Sequence, residues 1–195
     1  EKHKDFGFIQ IGANDGVKFD SLFDFIKKNN LWGYAVEPIK FYYERLKYNY
    51  NDQPCVVCIN KAVHRSMNVI DVFYVNPKKL SKFPEYAEGI GSLDPFHYKK
   101  SNIPSCCIIK ENVETVHIMD LMPKSKYAEI QILQIDTEGY DAEIVKMINF
   151  DLFRPKFIKF EHVHLQKDAR SEVFSLLLNR KYKLYKEGSN TIAVS

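Results

Sequence analysis

The sequence lacks any apolar run that approaches the roughly 20 residues needed to cross a bilayer as a helix. We therefore expect no insertion into a membrane. A large excess of one charge is also absent, since 28 basic residues stand against 25 acidic residues, for a net charge of +3. This balance gives no electrostatic reason to expect a nucleic-acid partner. The sequence contains no internal repeat, which excludes a solenoid or propeller.

Cysteine is scarce, with four residues in a chain of 195. Cys55 and Cys58 have C-x-x-C spacing, but they lie in a predicted strand, where positions three apart point to opposite faces and cannot bind one ion together. The adjacent Cys106 and Cys107 are expected to diverge as well. Thiols without a zinc or disulfide role are typical of a reducing compartment, so we expect a cytoplasmic location.

Apolar strands and amphipathic helices alternate along most of the chain. Strands are predicted at 8–11, 32–37, 55–60, 69–75, 113–118, 130–135, 157–160 and, as a closing hairpin, at 181–186 and 190–195; helices are predicted at 22–28, 39–50, 142–147 and 169–179. This alternation predicts an α/β fold with a doubly wound, mostly parallel sheet of about seven strands. The hairpin supplies an antiparallel C-terminal edge strand. The length supports one domain over residues 1–195.

Residues 76–112 interrupt this alternation. The segment is rich in proline and lysine and has little regular period, which is typical of an insertion or lid. Such segments often carry substrate contacts, and the polar candidates are Ser92, Asp94, His97 and Tyr98. A purely structural loop remains an equally good interpretation for any one of these residues alone.

A glycine-bounded loop, Gly12-Ala13-Asn14-Asp15-Gly16, follows the first predicted strand. A buried strand that leads through such a loop towards a helix can cradle a nucleotide-like cofactor. Glu37 ends the second strand 21 residues after Gly16, before Pro38. In doubly wound sheets an acid at about this offset accepts hydrogen bonds from ribose hydroxyls. The alternative for the loop is a tight structural turn, and the alternative for Glu37 is a solvated acid at the end of a strand.

Polar side chains also follow two strands of the second half. Asp136 and Glu138 come after the strand at 130–135, and Glu161 and His162 come after the strand at 157–160. Because parallel strands end at the same edge of a sheet, these groups are expected to share one crevice with Glu37. Clustered acids repel one another unless they meet a cation, a hydroxyl or a metal, so the pattern indicates a functional site.

These motifs together resemble those of FkbM-type methyltransferases, which have the Rossmann-like class I fold. Ile11–Gly16 is similar to the first cofactor loop of that family, and Val36-Glu37-Pro38 resembles its V-E-P step. Leu133–Asp141 resembles its L-K-I-D-x-E-G-x-E signature, with Gln134 for lysine and Asp141 for glutamate. Phe160-Glu161-His162 resembles a later strand end of the family.

The resemblance implies methyl transfer from S-adenosylmethionine to a hydroxyl oxygen, often on a sugar or glycan. The cofactor residues that it implies are Gly12, Ala13, Asn14, Asp15 and Gly16 for the amino-acid end, Glu37 and Pro38 for the ribose, Ala62 for the adenine, and Asp136 beside the methyl donor. The candidate catalytic residues are Asp136, Glu161 and His162. The candidate substrate residues are Ser92, His97 and Glu138.

A second catalytic scheme has Asp136, Glu161 and a histidine bind a divalent ion that acidifies the acceptor hydroxyl. In a regular strand His162 and His164 would share one side, with Glu161 facing away. Because that geometry separates the three groups, a divalent metal is not expected.

Two other classes of function share parts of the pattern. A nicotinamide-dependent oxidoreductase would have a similar strand, loop and acid, but the three-glycine fingerprint is missing here. An inactive carbohydrate- or cofactor-binding module with the same fold would keep the binding residues without turnover. A nucleic-acid amino methyltransferase would need an Asn/Asp-Pro-Pro-aromatic run where Asp136-Thr137-Glu138 stands.

Overall fold

The computed structural model describes residues 6–65 and 68–195 of the chain. The strands are β1 (Gly7–Ile11), β2 (Trp32–Val36), β3 (Val56–Ile59), β4 (Ala62–Val63), β5 (Val69–Val75), β6 (Gly91–Ser92), β7 (Ile108–Val116), β8 (Ile130–Ile135), β9 (Phe157–Glu161), β10 (Lys183–Glu187) and β11 (Asn190–Val194). The α-helices are α1 (Phe23–Asn29), α2 (Lys40–Asn49), α3 (Asp141–Lys146) and α4 (Lys167–Asn179). No helix in the described ranges is both long and apolar enough to span a bilayer.

The main sheet has seven strands in the order β10-β11-β9-β8-β1-β2-β3. The strands from β9 to β3 are parallel, and β11 and β10 add an antiparallel edge. The predicted α/β class, the strand number and the antiparallel C-terminal edge are therefore confirmed.

The register of the parallel strands brings four strand ends to one level. Ile11 lies opposite Val36 in β2 and Ile135 in β8, and Ile135 lies opposite Phe160 in β9. Since the strands run in the same direction, the residues that follow these positions emerge at one edge of the sheet. They are Gly12, Glu37, Asp136 and Glu161.

Helices cover both faces of the main sheet because alternate side chains of a strand point in opposite directions. Phe8 of β1 shares a core cluster with Ile26 of α1 and Leu46 of α2. Ile9, the next residue, shares a second cluster with Ile144 of α3 and with helix α4. A fully buried side chain of this kind contributes about 1.5–3 kcal/mol through removal of apolar surface from water. The central strands are consequently held from both sides.

A second sheet contains the strands between β3 and β8, in the order β4-β7-β5-β6. The predicted C-terminal boundary of the insertion at Asn112 is wrong, because strand β7 already begins at Ile108. Antiparallel pairing with β5 imposes extended structure on this polar stretch, in which Lys110 lies opposite Phe73 and contacts Asp71. The segment between the strands, interrupted by β6, is mainly short 3-10 turns.

The four cysteines are free thiols. The predicted divergence of Cys106 and Cys107 is wrong, since their Sγ atoms lie 3.9 Å apart. The cause is local, because the two residues belong to a 3-10 turn over Ser105–Cys107 and not to a strand.

Gly12 has no side chain, and this allows the end of β1 to lie close to the end of β8. Its φ is +74°, and a Cβ atom there would lie 1.7 Å from the carbonyl oxygen of Asp136. We predict that Gly12→Ala lowers the free energy of unfolding by about 2–5 kcal/mol, because both the backbone conformation and the overlap are unfavourable. Urea unfolding followed by circular dichroism measures the loss.

Gly188→Ala is the matched control. Its φ is also positive, at +56°, but a Cβ atom would meet nothing within 4 Å. The backbone cost alone, about 1–2 kcal/mol, is expected there. Equal losses in the two variants would contradict the close approach of the strand ends.

Candidate functional site

A cavity of about 230 Å³ opens at the edge where the parallel strands end. Its walls come from the loop after β1, the ends of β2 and β8, strand β4 and residues 86–93. The predicted site residues that line it are Gly12, Ala13, Asn14, Glu37, Pro38, Ala62, Ser92, Asp136 and Glu138. Residues far apart in sequence thus surround one cavity, as expected for residues that follow parallel strands ending at the same edge of the sheet.

Asn14 joins the glycine-bounded loop to its surroundings. Its backbone N–H donates to Oε2 of Glu37 at 2.9 Å, and its side-chain amide donates to the Glu88 carbonyl at 2.9 Å. Its φ of 50° is in the left-handed region, which asparagine tolerates better than most residues. The loop is therefore fixed to the end of β2 and to residues 85–88.

Two of the predicted cofactor residues do not line the cavity. The Asp15 carboxylate turns back and accepts the backbone N–H groups of Val17 and Lys18 at 3.0 and 2.8 Å. A Cβ atom on Gly16 would overlap Leu46, so its contact is with helix α2. Asp15 and Gly16 shape the loop instead of contacting the cavity.

Glu37 is a buried acid whose two carboxylate oxygens both accept backbone hydrogen bonds. Oε2 accepts from Asn14 and Oε1 accepts from Ile39 at 2.8 Å. Only 4% of the residue is exposed. Burial raises the pKa of the Glu37 carboxyl to about 7, although the two hydrogen bonds act in the opposite direction. Each oxygen keeps a free lone pair for a donor in the cavity.

Asp136 and Glu161 are the acids at the ends of β8 and β9. The backbone N–H of Asp136 donates to the Ile11 carbonyl at 2.9 Å, while its side chain is open to the cavity. The surrounding protein raises the pKa of the Asp136 carboxyl to about 7, helped by the charges of Asp141 and Glu138. Burial and the charges of Glu138 and Asp136 raise the pKa of Glu161 to about 8.

Asp141 positions these strand ends. The sequence indicated only that Asp141 belongs to the motif at 133–141, not that it has this role. It is 0% exposed. One carboxylate oxygen accepts the Thr137 hydroxyl at 2.8 Å and the Thr137 N–H at 3.3 Å, and the other accepts the Glu161 N–H at 3.1 Å. The loop after β8 is thereby tied to the end of β9.

A cluster of two histidines and two glutamates lies beside the cavity, and we call it the His–Glu cluster (His97, Glu138, Glu161, His164). Nε2 of His97 lies 2.8 Å from Oε2 of Glu138, and Nε2 of His164 lies 3.4 Å from the same oxygen. Nε2 of His164 is also 3.6 Å from Oε2 of Glu161. Of the four, Glu138 lines the cavity itself.

His162 does not join this cluster. Its Nδ1 lies 3.0 Å from the Thr191 hydroxyl, and its ring packs edge-on against Phe174 in the interior. The prediction that His162 and His164 share one side, with Glu161 facing away, is wrong because β9 ends at Glu161 and the chain then turns. The structure gives His162 no contact with the cavity and places His164 next to Glu161.

The segment between β5 and β7 contacts the site through polar anchors. Lys18 Nζ lies 2.8 Å from Oε1 of Glu88, and the Ser92 hydroxyl donates to the Glu138 carbonyl at 2.9 Å. The predicted substrate residues Ser92 and His97 are both buried and bonded to Glu138. They position that glutamate, and Ser92 also contributes to the cavity wall.

A family model for the methyltransferase FkbM domain matches residues 10–184. The chain belongs to the methyltransferase FkbM domain family. Membership confirms the resemblance found in the motifs, and the family implies use of S-adenosylmethionine. A search of curated proteins found no match.

Two solved structures resemble this FkbM domain in fold. A methyltransferase FkbM from Methylobacillus flagellatus KT has a TM-score of 0.59 and 12% sequence identity, over 97% of this chain and 43% of that chain. The METTL16 MTase domain has a TM-score of 0.51 and 12% identity, over 97% of this chain and 60% of that chain. This chain therefore spans less than two thirds of either structure, and the likeness is one of fold.

The cavity has polar groups that suit the cofactor of the family. Oε1 of Gln10, Oδ2 of Asp20 and the hydroxyl of Tyr42 are buried and have no hydrogen-bond partner among residues 6–65 and 68–195. All three residues line the cavity. Because an unpaired buried polar group costs about 1–3 kcal/mol, these atoms fit a polar ligand better than an empty apolar core.

We predict that Asp141→Ala lowers the free energy of unfolding by about 2–4 kcal/mol, since it leaves three partly buried donors without their acceptor. The exposed Asp151, which contacts Arg180 at 2.6 Å, provides the control. Asp151→Ala should cost less than about 1 kcal/mol. Chemical denaturation compares the variants, and a loss for Asp141→Ala as small as that of the control would contradict its positioning role.

Proposed function

We propose that this chain binds S-adenosylmethionine and transfers its methyl group to a hydroxyl oxygen of a sugar or glycan. The observation that carries the proposal is the placement of Glu37 and Asp136 on one cavity, on either side of the backbone of Gly12. A pair of acids around a glycine-bounded loop suits a ligand that combines ribose hydroxyls with a positively charged centre.

The cofactor would be held by groups that the fold already orients. The free lone pairs of Glu37 would accept the ribose hydroxyls, and Ala62, which is buried in β4, would present an apolar surface to the adenine. Gly12 and Ala13 would let the amino-acid end approach the backbone closely. The unpaired Gln10 and Tyr42 side chains supply further polar contacts in the same space.

Bound S-adenosylmethionine supplies a methyl group on a positively charged sulfur. The protein has to hold the acceptor oxygen in line, exclude water and remove the hydroxyl proton. Alignment alone can supply several kcal/mol of the barrier. Asp136, which is open to the cavity, is the proposed base, and a positioned base typically contributes about 10²–10⁴-fold. The Glu161 carboxylate lies within 4.8 Å of it, at the end of the neighbouring strand β9.

A sugar acceptor is favoured by the cavity mouth. Phe19 and Tyr86 line the cavity, yet 58% and 50% of their surfaces remain exposed. Exposed aromatic rings that border a cavity with both apolar and polar walls suit a ligand with both C–H faces and hydroxyls. Ser92 and Glu138 line the cavity and His97 holds Glu138 in place, and these polar groups would orient the reacting hydroxyl.

The Glu37 role predicts a pH-dependent affinity. S-Adenosylhomocysteine should bind about tenfold more weakly at pH 6 than at pH 8, because a carboxyl with a pKa of about 7 must lose its proton before it can accept both ribose hydroxyls. In Glu37→Gln an amide N–H would face a backbone N–H, so affinity should fall, and the pH dependence should shrink to the part contributed by Asp136, whose pKa is also about 7. Isothermal titration calorimetry at both pH values measures this.

Glu111→Gln is the control, since Glu111 acts on Glu37 only through its charge and accepts the Tyr74 hydroxyl on the second sheet. It should keep most of the pH dependence. Thermal unfolding of each variant checks that the fold is retained. Unchanged affinity and pH dependence in Glu37→Gln would contradict the ribose role.

Methyl transfer itself is tested with radiolabelled S-adenosylmethionine and a panel of mono- and oligosaccharides. Asp136→Asn should lower turnover by about 10²–10⁴-fold while affinity for S-adenosylhomocysteine stays within a few fold. Full activity in that variant would exclude Asp136 as the base. Cofactor binding without transfer to any hydroxyl compound would support an inactive binding module, and tighter binding of a nicotinamide dinucleotide would support an oxidoreductase.

A further inference from the structure

The His–Glu cluster has the composition and spacing of a metal site. The donor atoms of His97, Glu138 and His164 lie within 4.8 Å of one another. The two Nε2 atoms are 2.8 and 3.4 Å from one carboxylate oxygen of Glu138. Ligand atoms about 2.0–2.2 Å from a single ion are separated by about 3 Å, so a small adjustment of side chains would place one ion between the three.

The elements that present these ligands are far apart in sequence and independently fixed. His97 begins a 3-10 turn in the segment between β5 and β7, Glu138 follows β8, and His164 follows β9. Glu138 adopts a φ of 54°, and its carbonyl oxygen is held by the Ser92 hydroxyl. A non-glycine residue in that conformation costs of order 1 kcal/mol, which indicates that the direction of its side chain matters.

Packing alone does not account for the polar groups of the cluster. His97 is 3% exposed, and its Nδ1 atom has no hydrogen-bond partner among the described residues. Oε2 of Glu161 is likewise buried without a hydrogen-bond partner in the described part of the chain. If the histidine and the acid had only a structural role, Nδ1 of His97 and Oε2 of Glu161 would be expected to have hydrogen-bond partners.

The charge balance of the site also favours a cation. Asp136, Glu138 and Glu161 offer carboxylate oxygens within 4.8 Å of one another. Within the described residues, the ion pairs that reach Glu138 and Glu161 come from His97 and His164, not from lysine or arginine. Lys100 and Lys159 act on Glu161 and Asp136 only through their charge, without an ion pair to either acid among the described residues, so the three neighbouring carboxylates create a negative potential that a divalent ion would neutralise.

We infer that His97, Glu138 and His164 bind a divalent transition-metal ion at the edge of the cavity, with Glu161 next to His164. Two imidazole nitrogens favour Zn²⁺ over Mg²⁺ or Ca²⁺, which prefer oxygen ligands, and the neighbouring carboxylates also suit Mn²⁺. Few protein ligands leave coordination positions open, and Glu138 faces the cavity. An exogenous oxygen can therefore reach the ion.

The inference extends the proposed function and rests on it for the role of the ion. An acceptor hydroxyl that coordinates the ion becomes more acidic. Its O–H bond breaks, the proton passes to the Asp136 carboxylate, and the electron pair stays on the oxygen. His97 lies in the segment between β5 and β7, so metal binding would also fix that segment against the ends of β8 and β9.

Metal binding is tested on untagged, chelator-treated protein by calorimetric titration with ZnCl₂, MnCl₂ and MgCl₂. The wild type should bind one Zn²⁺ or Mn²⁺ per chain and bind Mg²⁺ much more weakly. His164→Asn and Glu138→Gln should each weaken binding by about tenfold or more. His117→Gln is the control, because that histidine lies outside the cluster and accepts the Met119 N–H. It should bind the ions as the wild type does.

A measurement on the wild type alone tests the inference even if the variants fail to fold. Electron spin echo envelope modulation of the Mn²⁺-loaded protein should detect coupling to imidazole nitrogen. Absence of that coupling, absence of stoichiometric binding, or unchanged binding in folded His164→Asn would each overturn the inference.

Affinity for S-adenosylhomocysteine is measured on the same samples, so that the two proposals can fail separately. Suppose that the protein binds no metal, and that in the presence of chelator it still binds the cofactor and methylates hydroxyls. The metal inference then falls and the proposed function stands. If the metal binds as expected but the cofactor does not, the site is confirmed as a metal site and the proposed function falls.

Discussion

The parallel register of β1 with β2 and β8 is the constraint on which the site depends. It brings Ile11, Val36 and Ile135 to one level, so that the chain emerges three times at the same edge of the sheet. Gly12 permits this because it has no side chain to collide with the Asp136 carbonyl. The hydrogen bond from the Asp136 N–H to the Ile11 carbonyl then fixes the separation of the two strand ends. A shift of one residue in either pairing would turn the site residues towards the opposite face.

The grouping of acids at that edge dominates the electrostatics of the site. The surrounding protein raises the pKa of the carboxyl groups of Glu37, Asp136 and Glu161 into the range from about 7 to about 8. Keeping such groups together costs stability, and the backbone donors at Glu37 offset part of that cost. The segment between β5 and β7 contributes through His97 and Ser92, which hold Glu138 in place. One cavity consequently brings together Glu37, Asp136 and Glu138 from separate parts of the chain.

Much of the fold could be predicted from the sequence because strands β1, β2 and β8 are apolar runs buried on both faces, and that composition is recognisable without tertiary contacts. The start of β7 could not, because residues 108–112 become a strand only by pairing with β5. The acids at the strand ends were predictable from position, whereas His97 lies in an irregular segment with no periodic signal. The positions of His162 and His164 could not be predicted, because the alternation of strand side chains stops at Glu161, where the chain turns. The loop-shaping roles of Asp15 and Gly16 depend on local hydrogen bonds and helix packing, which spacing alone does not specify.

The central claim is that one cavity binds the cofactor between the ends of β1, β2 and β8. A crystal structure of the protein with S-adenosylhomocysteine tests it most directly. The account predicts ribose hydroxyls within hydrogen-bonding distance of the Glu37 carboxylate and the sulfur atom facing Asp136. A ligand bound elsewhere, or one that occupies the cavity with its ribose away from Glu37, would contradict it.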